Sequence, residues 1–161
     1  MKKMAGFFVL LLLLLAPVSA ADGAVLGSSA VSASCGDVVT IQFDIQDNPG
    51  LAAWMIELRW DSSGLSVVEN SVRAASAFSN GTLLSSSKGD GVLYVSWFNT
   101  RNNVANGSVF SVDFRISAQA NADSYEISVI PSAPDTIDEK ERLVAISAEN
   151  VRITVLDPKP N

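Results

Sequence analysis

The chain has 161 residues, one Cys and no His, with Lys+Arg 11 against Asp+Glu 17 and a formal net charge of −6. Without His, the Ser-His-Asp and Cys-His nucleophile systems and His-based zinc sites are excluded, and a single Cys supplies neither a thiolate cage nor an internal disulfide. The acidic balance argues against nucleic acid, whose phosphates need a basic stripe, and 17% charged with 48% hydrophobic residues fits neither a disordered tail nor a coiled coil.

Met1-Lys2-Lys3-Met4 is a short basic start, Phe7 to Leu15 is an unbroken apolar run, and Ala16-Pro17-Val18-Ser19-Ala20 ends in small residues. This is the three-part layout of a secretory signal peptide. The run is too short to cross a bilayer, which takes about 20 apolar helical residues. Cleavage is expected after Ala20, with Ala21 the alternative, and Cys35 lies too far downstream for a lipid-attachment box. Loss of Lys2 and Lys3 leaves nine basic residues against 17 acidic ones, a mature net charge of −8. A domain of the remaining size buries roughly 68–70% of its unfolded surface, so it needs no metal or disulfide to fold. Cys35 reads as a half-buried small residue. The expected organisation is a signal peptide over 1–20, one sandwich domain over 21–156 and a flexible tail over 157–161.

Beyond the leader the dominant period is two. A first strand is expected over 25–31. Val39, Ile41, Phe43 and Ile45 then alternate with Thr40, Gln42, Asp44 and Gln46, a strand with one buried and one wet face. Asp47-Asn48-Pro49-Gly50 is turn punctuation. Trp54, Ile56, Leu58 and Trp60 share one face of the next run, with Ala53, Met55, Glu57 and Arg59 on the other. Asp61-Ser62-Ser63-Gly64 is a further turn, and 65–68 is a short strand. Ser79-Asn80-Gly81 and Lys88-Gly89-Asp90-Gly91 are turns flanking an edge strand over 82–87. Residues 92–98 form a strand with Leu93, Val95 and Trp97 inward, and 100–107 is a polar loop. Phe110, Val112, Phe114 and Ile116 define another half-buried strand, followed by β pattern over 125–130 and 144–155. Only 136–142 reads as helical, with Asp135 as its cap and Asp138-Glu139 in its first turn. Strands this short, with turns every 8–12 residues, predict an all-β sandwich or jelly roll with at most one short helix.

Gly36-Asp37-Val38-Val39-Thr40-Ile41, Asn48-Pro49-Gly50-Leu51-Ala52, Leu58-Arg59-Trp60-Asp61 and Leu65-Ser66-Val67, in that order and spacing, resemble the first half of a cohesin module. Gly107-Ser108-Val109-Phe110-Ser111-Val112-Asp113-Phe114 resembles a later strand of the same family. The resemblance covers roughly Val25 to Val155. It implies a nine-stranded jelly-roll β-sandwich that binds dockerin modules, the small calcium-loop domains of secreted polysaccharide hydrolases, with the calcium held by the partner. A single copy without repeat is expected to serve as an adaptor or as a domain reused in another assembly.

Strand parity marks one unusual face. The outward residues of 39–46 and 109–116 are thoroughly polar, as plain solvent exposure selects. Strand 53–60 instead shows Ala53 and Met55, and strand 92–98 shows Val92, Tyr94, Ser96 and Phe98. If the two strands share a sheet, these form an apolar patch of the kind that marks a partner site. The resemblance implies the same face, on a sheet built from 52–60, 82–87, 92–99 and 125–130. Carried over position by position, the contact strip is Ala53, Met55, Glu57, Ser85, Ser87, Tyr94, Ser96 and Asn99. The first two of these positions are often Asn and Asp in cohesins, so a different partner specificity is implied.

Other chemistry is thin. Asp135, Asp138, Glu139 and Glu141 lack the alternate ligand spacing and central Gly of a calcium loop, and read as a solvated helix face. Asn80-Gly81-Thr82 and Asn106-Gly107-Ser108 match the N-glycosylation pattern. No carboxylate pair sits in a motif, so neither catalysis nor a cofactor nor a resident metal is expected. The alternatives are a carbohydrate-binding module with a polysaccharide ligand, and a structural domain of an extracellular complex. Sugar binding normally needs coplanar exposed aromatics, and Trp54, Trp60 and Trp97 all have inward parity.

Overall fold

A computed structural model describes residues 23–159; the expected signal peptide lies outside the described residues. Twelve strand segments build two sheets. One holds β11 (Ile146–Ala148), β1 (Ala24–Ser28), β3 (Val38–Gln46), β9 (Gly107–Ile116) and β5 (Leu65–Val67) in that order, with β6 (Arg73–Ala74) also on β9. The other runs β2 (Val31–Ala33), β12 (Val151–Val155), β10 (Ser124–Pro131), β4 (Leu51–Trp60), β8 (Val92–Asn103) and β7 (Thr82–Ser87).

The alternating runs fold as their parity predicts. Ile41, Phe43 and Ile45 of β3 are at most 1% exposed, as are Phe110, Val112, Phe114 and Ile116 of β9 across the pair. In the second sheet Trp54, Ile56 and Leu58 of β4 lie inward beside Trp97, Val95 and Leu93 of β8. The two inner faces meet in an aromatic seam. Trp54 stacks on Phe110 of the opposite sheet at 5.6 Å between ring centroids, and Phe110 stacks on Phe43 at 4.5 Å. Phe78, in the short 3₁₀ turn Ser76–Phe78, closes the seam edge-on to Trp97 at 4.7 Å. Trp97 Nε1 donates to the Phe78 carbonyl at 2.9 Å. Such contacts add about 0.5–1.5 kcal/mol each to the burial of the rings.

The expected first strand is two. β1 pairs with β3 in one sheet, and β2 pairs with β12 in the other, so the chain crosses between sheets at Ser29-Ala30. β8 continues to Asn103, into the expected polar loop. There Asn103 Nδ2 donates to the Ala77 carbonyl at 2.6 Å, and Asn48 Nδ2 donates to the carbonyls of Asn103 and Ala105. Cys35 is half-buried against the core, as expected, and its Sγ donates to the Asp157 carbonyl at 3.1 Å. The start of the expected tail is tied to the fold. Asp157 Oδ1 accepts from the Cys35 amide at 2.8 Å, and the Lys159 amide donates to the Ala120 carbonyl at 2.7 Å.

The predicted helix over 136–142 does not form. Ile137 pairs as an isolated bridge with both Ala53 and Leu143, and accepts from the amides of Ala52 and Ala53. This segment fills the position beside β4 that β10 vacates at Pro131. Asp138, expected on a solvated helix face, is 6% exposed. Its carboxylate accepts from the amides of Lys140 and Arg142 and from the Arg142 guanidinium, closing a turn in which Glu141 has φ 60°. A main-chain partner for Ile137 outweighs the weak helical preference of so short a run. The only helical turns among the described residues are Ser76–Phe78 and Ala133–Asp135.

Two predictions follow from this packing. Trp54→Ala removes an aromatic from the seam and should cost roughly 3–5 kcal/mol, while Met55→Ala, on the outer face, should cost far less; denaturant titration of both variants measures the difference. The hydrogen bonds from the Arg142 backbone and side chain hold the Asp138 carboxyl below the usual carboxylate range. A carboxyl depressed on folding stabilises the fold above its unfolded pKa and loses that contribution as pH falls through the lower folded value. Amide exchange at Ala52 and Ala53, corrected for its intrinsic pH dependence, should therefore accelerate in the wild type only below about pH 4. Asp138→Asn should raise it already at neutral pH and flatten the acid response.

Candidate functional site: the outer face of β4, β8 and β7

The four segments assigned to one sheet from the resemblance do lie side by side, in the order β10-β4-β8-β7. Their register builds cross-strand rows on the outer face. Met55 lies beside Ser96, which lies beside Leu84. Ile130, Glu57, Tyr94 and Ser86 form the next row, and Ala53, Phe98 and Thr82 another. Met55, Leu84, Ser85, Ser86, Lys88, Tyr94 and Ser96 line a shallow depression of about 500 Å³. Leu84 is 54% exposed, Phe98 49% and Ile130 43%.

Of the predicted strip, Ala53, Met55, Glu57, Tyr94 and Ser96 are brought together on this face, all half-buried. Ser85 and Ser87 do not take outward positions on it, although Ser85 lines the depression. They pair with Val95 and Leu93, both buried, and so carry inward parity; Leu84 and Ser86 take the outward positions of β7. Ser85 and Ser87 also border a separate groove lined by Val67, Val72 and Leu93. Asn99 has the parity of Trp97, and its Oδ1 accepts from the Thr100 amide at 2.7 Å; Phe98 is the last outward residue beside β4. The sequence of β7, Thr-Leu-Leu-Ser-Ser-Ser, has no alternation, so nothing in it told one face from the other. Ile130 and Leu84 are thus the apolar members that strand parity within single segments missed.

Among the described residues nothing folds over the depression. Segment 132–137 extends the sheet beside β4, with the Ser132 amide donating to the Met55 carbonyl at 2.9 Å and Ile137 alongside Ala53. β7 likewise lies beside β8 rather than across it. The Arg59 guanidinium donates to the Glu57 carboxylate, and this bond raises the Arg59 pKa further. Glu57 is thereby ion-paired within the face, while Lys88 at the β7 end forms no ion pair among the described residues and lies beside an apolar floor. The opposite sheet is polar outside: Thr40 Oγ1 and the Arg73 guanidinium both donate to Asp113, and Ser108 donates to Asp44. Among the described residues no group of three or more His, Cys, Asp or Glu could hold a metal ion, and no helix is long and apolar enough to cross a membrane.

No family model and no curated protein sequence matches the chain. Solved structures do. The sixth cohesin of scaffoldin B from Acetivibrio cellulolyticus, solved in complex with a Cel5 dockerin mutant, matches at TM-score 0.72 and 18% identity, over 83% of this chain and 99% of that one. A non-cellulosomal cohesin from the archaeon Archaeoglobus fulgidus matches at TM-score 0.70 and 16% identity, over 84% and 92%. The solution structure of CaCohA2 from Clostridium acetobutylicum matches at TM-score 0.70 and 19% identity, over 83% and 90%. The sandwich, its strand order and these matches give the chain a cohesin-like fold.

Proposed function

We propose that this chain is a secreted, non-catalytic protein-binding module that recognises a dockerin-bearing partner through the outer face of β4, β8 and β7. The observation that carries this reading is the apolar depression around Met55, Leu84 and Tyr94, which nothing among the described residues covers. Several of the structurally similar cohesins were solved with a dockerin bound. Tyr94 is the central anchor: it buries much area with few rotors to freeze. Met55 supplies an adaptable apolar floor. With Ala53 and Met55 where other cohesins often carry Asn and Asp, the partner presents apolar rather than hydrogen-bonding side chains there. The basic start and apolar run at the N-terminus support export by a signal peptide, and the partner acts outside the cell, typically on a polysaccharide. Trp54 and Trp97 are 2% and 1% exposed, which disfavours a sugar-stacking platform.

Calorimetry against a panel of dockerins tests the reading. Tyr94→Ala should weaken binding by about 2 kcal/mol or more and leave the thermal midpoint nearly unchanged. Gln42→Ala, on the opposite sheet, should leave affinity as it is. Chelator should abolish binding by unfolding the dockerin, without melting this domain. Loss of affinity on Gln42→Ala but not on Tyr94→Ala would put the functional surface on the other sheet, and retention on insoluble cellulose would favour the sugar-binding alternative.

A further inference from the structure

β7 is the terminal strand of its sheet and pairs with β8 alone. The Lys88 amide donates to the Val92 carbonyl at 3.2 Å, one step beyond the Ser87–Leu93 pair. In an antiparallel ladder, hydrogen-bonded pairs alternate with non-bonded ones. The backbone groups of Ser86, Leu84 and Thr82 therefore point to β8, and those of Leu83, Ser85 and Ser87 point away from it. Among the described residues, no hydrogen bond reaches these outward amides or carbonyls. Open edges in soluble proteins are ordinarily protected by a charge, a proline or a bulge. Within Thr82–Ser87 there is none of these: the six residues are Thr, Leu, Leu, Ser, Ser and Ser, in unbroken register with β8, and the first charge is Lys88 at the strand's end.

We propose that β7 is a self-association edge, where a second copy of this chain adds its own β7 antiparallel, on a two-fold axis at Ser85. This centre is the one that uses the whole open edge. Ser85 meets Ser85 of the second copy, Leu83 meets its Ser87, and Ser87 meets its Leu83, so every outward amide and carbonyl of both strands gains a partner. Charges permit the approach, although the chain is acidic overall. In this register Lys88 falls opposite Thr82 and Asp90 opposite Asn80, so no like charges face each other. The groove beside the edge, about 380 Å³ and lined by Val67, Glu69, Val72, Ser85, Ser87 and Leu93 among others, leaves room for the inward-parity side chains of an added strand, with Glu69 its one charged wall residue. The result is a continuous sheet through two domains, with both Met55–Tyr94 depressions on the same side of that sheet and still open. Pairing of this kind is isologous and closes at two copies. It is independent of what binds the depression.

Sedimentation equilibrium of the mature chain, up to about 1 mM, where a weak dimer of Kd near 1 mM still populates, tests this directly. The wild type should approach twice the monomer mass as concentration rises. Ser85→Lys and Ser85→Asp each set like charges against each other on the axis, and each alone should stay monomeric with an unchanged thermal midpoint. An equimolar mixture of the two should regain the doubled mass, because only a register centred on Ser85 places Lys opposite Asp. Ser85→Pro removes an outward amide without touching the ladder to β8, and should also give a monomer. The proposal is overturned by a wild type that stays monomeric throughout, by single variants that dimerise like the wild type, or by a mixture that fails to restore association. It is equally overturned if Tyr94→Ala abolishes the dimer while Ser85→Pro does not, since the depression is then the interface.

Discussion

The contact of Trp54 with Phe110 joins the two sheets, and the rest of the structure is arranged around it. Trp54 projects from β4 and Phe110 from β9, so their stacking sets how the sheets lie on one another. Phe43, Phe78 and Trp97 extend the same seam along both sheets. Burying rings of this size removes far more apolar area from water than any aliphatic alternative, which gives a domain without disulfides its driving force. The cost is polar: among the described residues the buried Trp54 indole N–H finds no hydrogen-bond partner, where Trp97 has the Phe78 carbonyl. An orphaned buried donor costs about 1–3 kcal/mol, which the ring packing around Trp54 offsets.

The seam also determines what the outer face can be. Because side chains alternate along a strand, placing Trp54 and Trp97 inward forces Met55, Ser96 and Phe98 outward. The outer face of β4 and β8 is thus the complement of the core. Two devices hold the neighbours in place. Gly81 brings the chain so close to the Trp97 indole that a Cβ there would lie 2.3 Å from Cε2, so the turn into β7 is seated on the core itself. On the far side, segment 132–144 locks onto β4 through Ile137 and is closed by Asp138. The face is therefore framed by backbone pairing at both margins rather than by side chains lying across it.

The two sheets then diverge in character. The outer side of β3 and β9 carries hydrogen-bonded polar pairs such as Thr40 with Asp113 and Ser108 with Asp44. Groups already paired with each other need no partner. The β4–β8–β7 face instead exposes Leu84, Phe98 and Ile130, whose contact with water is relieved only by another surface. The sheet is thus apolar on one outer side and, among the described residues, open along the β7 edge.

The alternation of apolar residues in β3, β4, β8 and β9 was enough by itself to assign strands, faces and the inward Trp residues, because a half-buried strand has period two and little else imitates it. It also carried Met55 and Tyr94 to the surface, and the order of the Gly, Asn-Pro-Gly and Trp-Asp motifs pointed to the fold. Three things were decided only in the folded chain. Residues 136–142 satisfy local helix rules, but β4 needs a partner for the amides of Ala52 and Ala53, and Ile137 is the strand within reach. β1 and β2 are separated by only two residues, but each pairs into a different sheet. β7 has only Leu83 half-buried on its inner side, so its sequence shows no alternation and its faces are set by pairing with β8, which gives Leu84 and Ser86 rather than Ser85 and Ser87 the outward positions. Periodicity reports which side of a strand is dry; where neither side is, only the neighbouring strand decides.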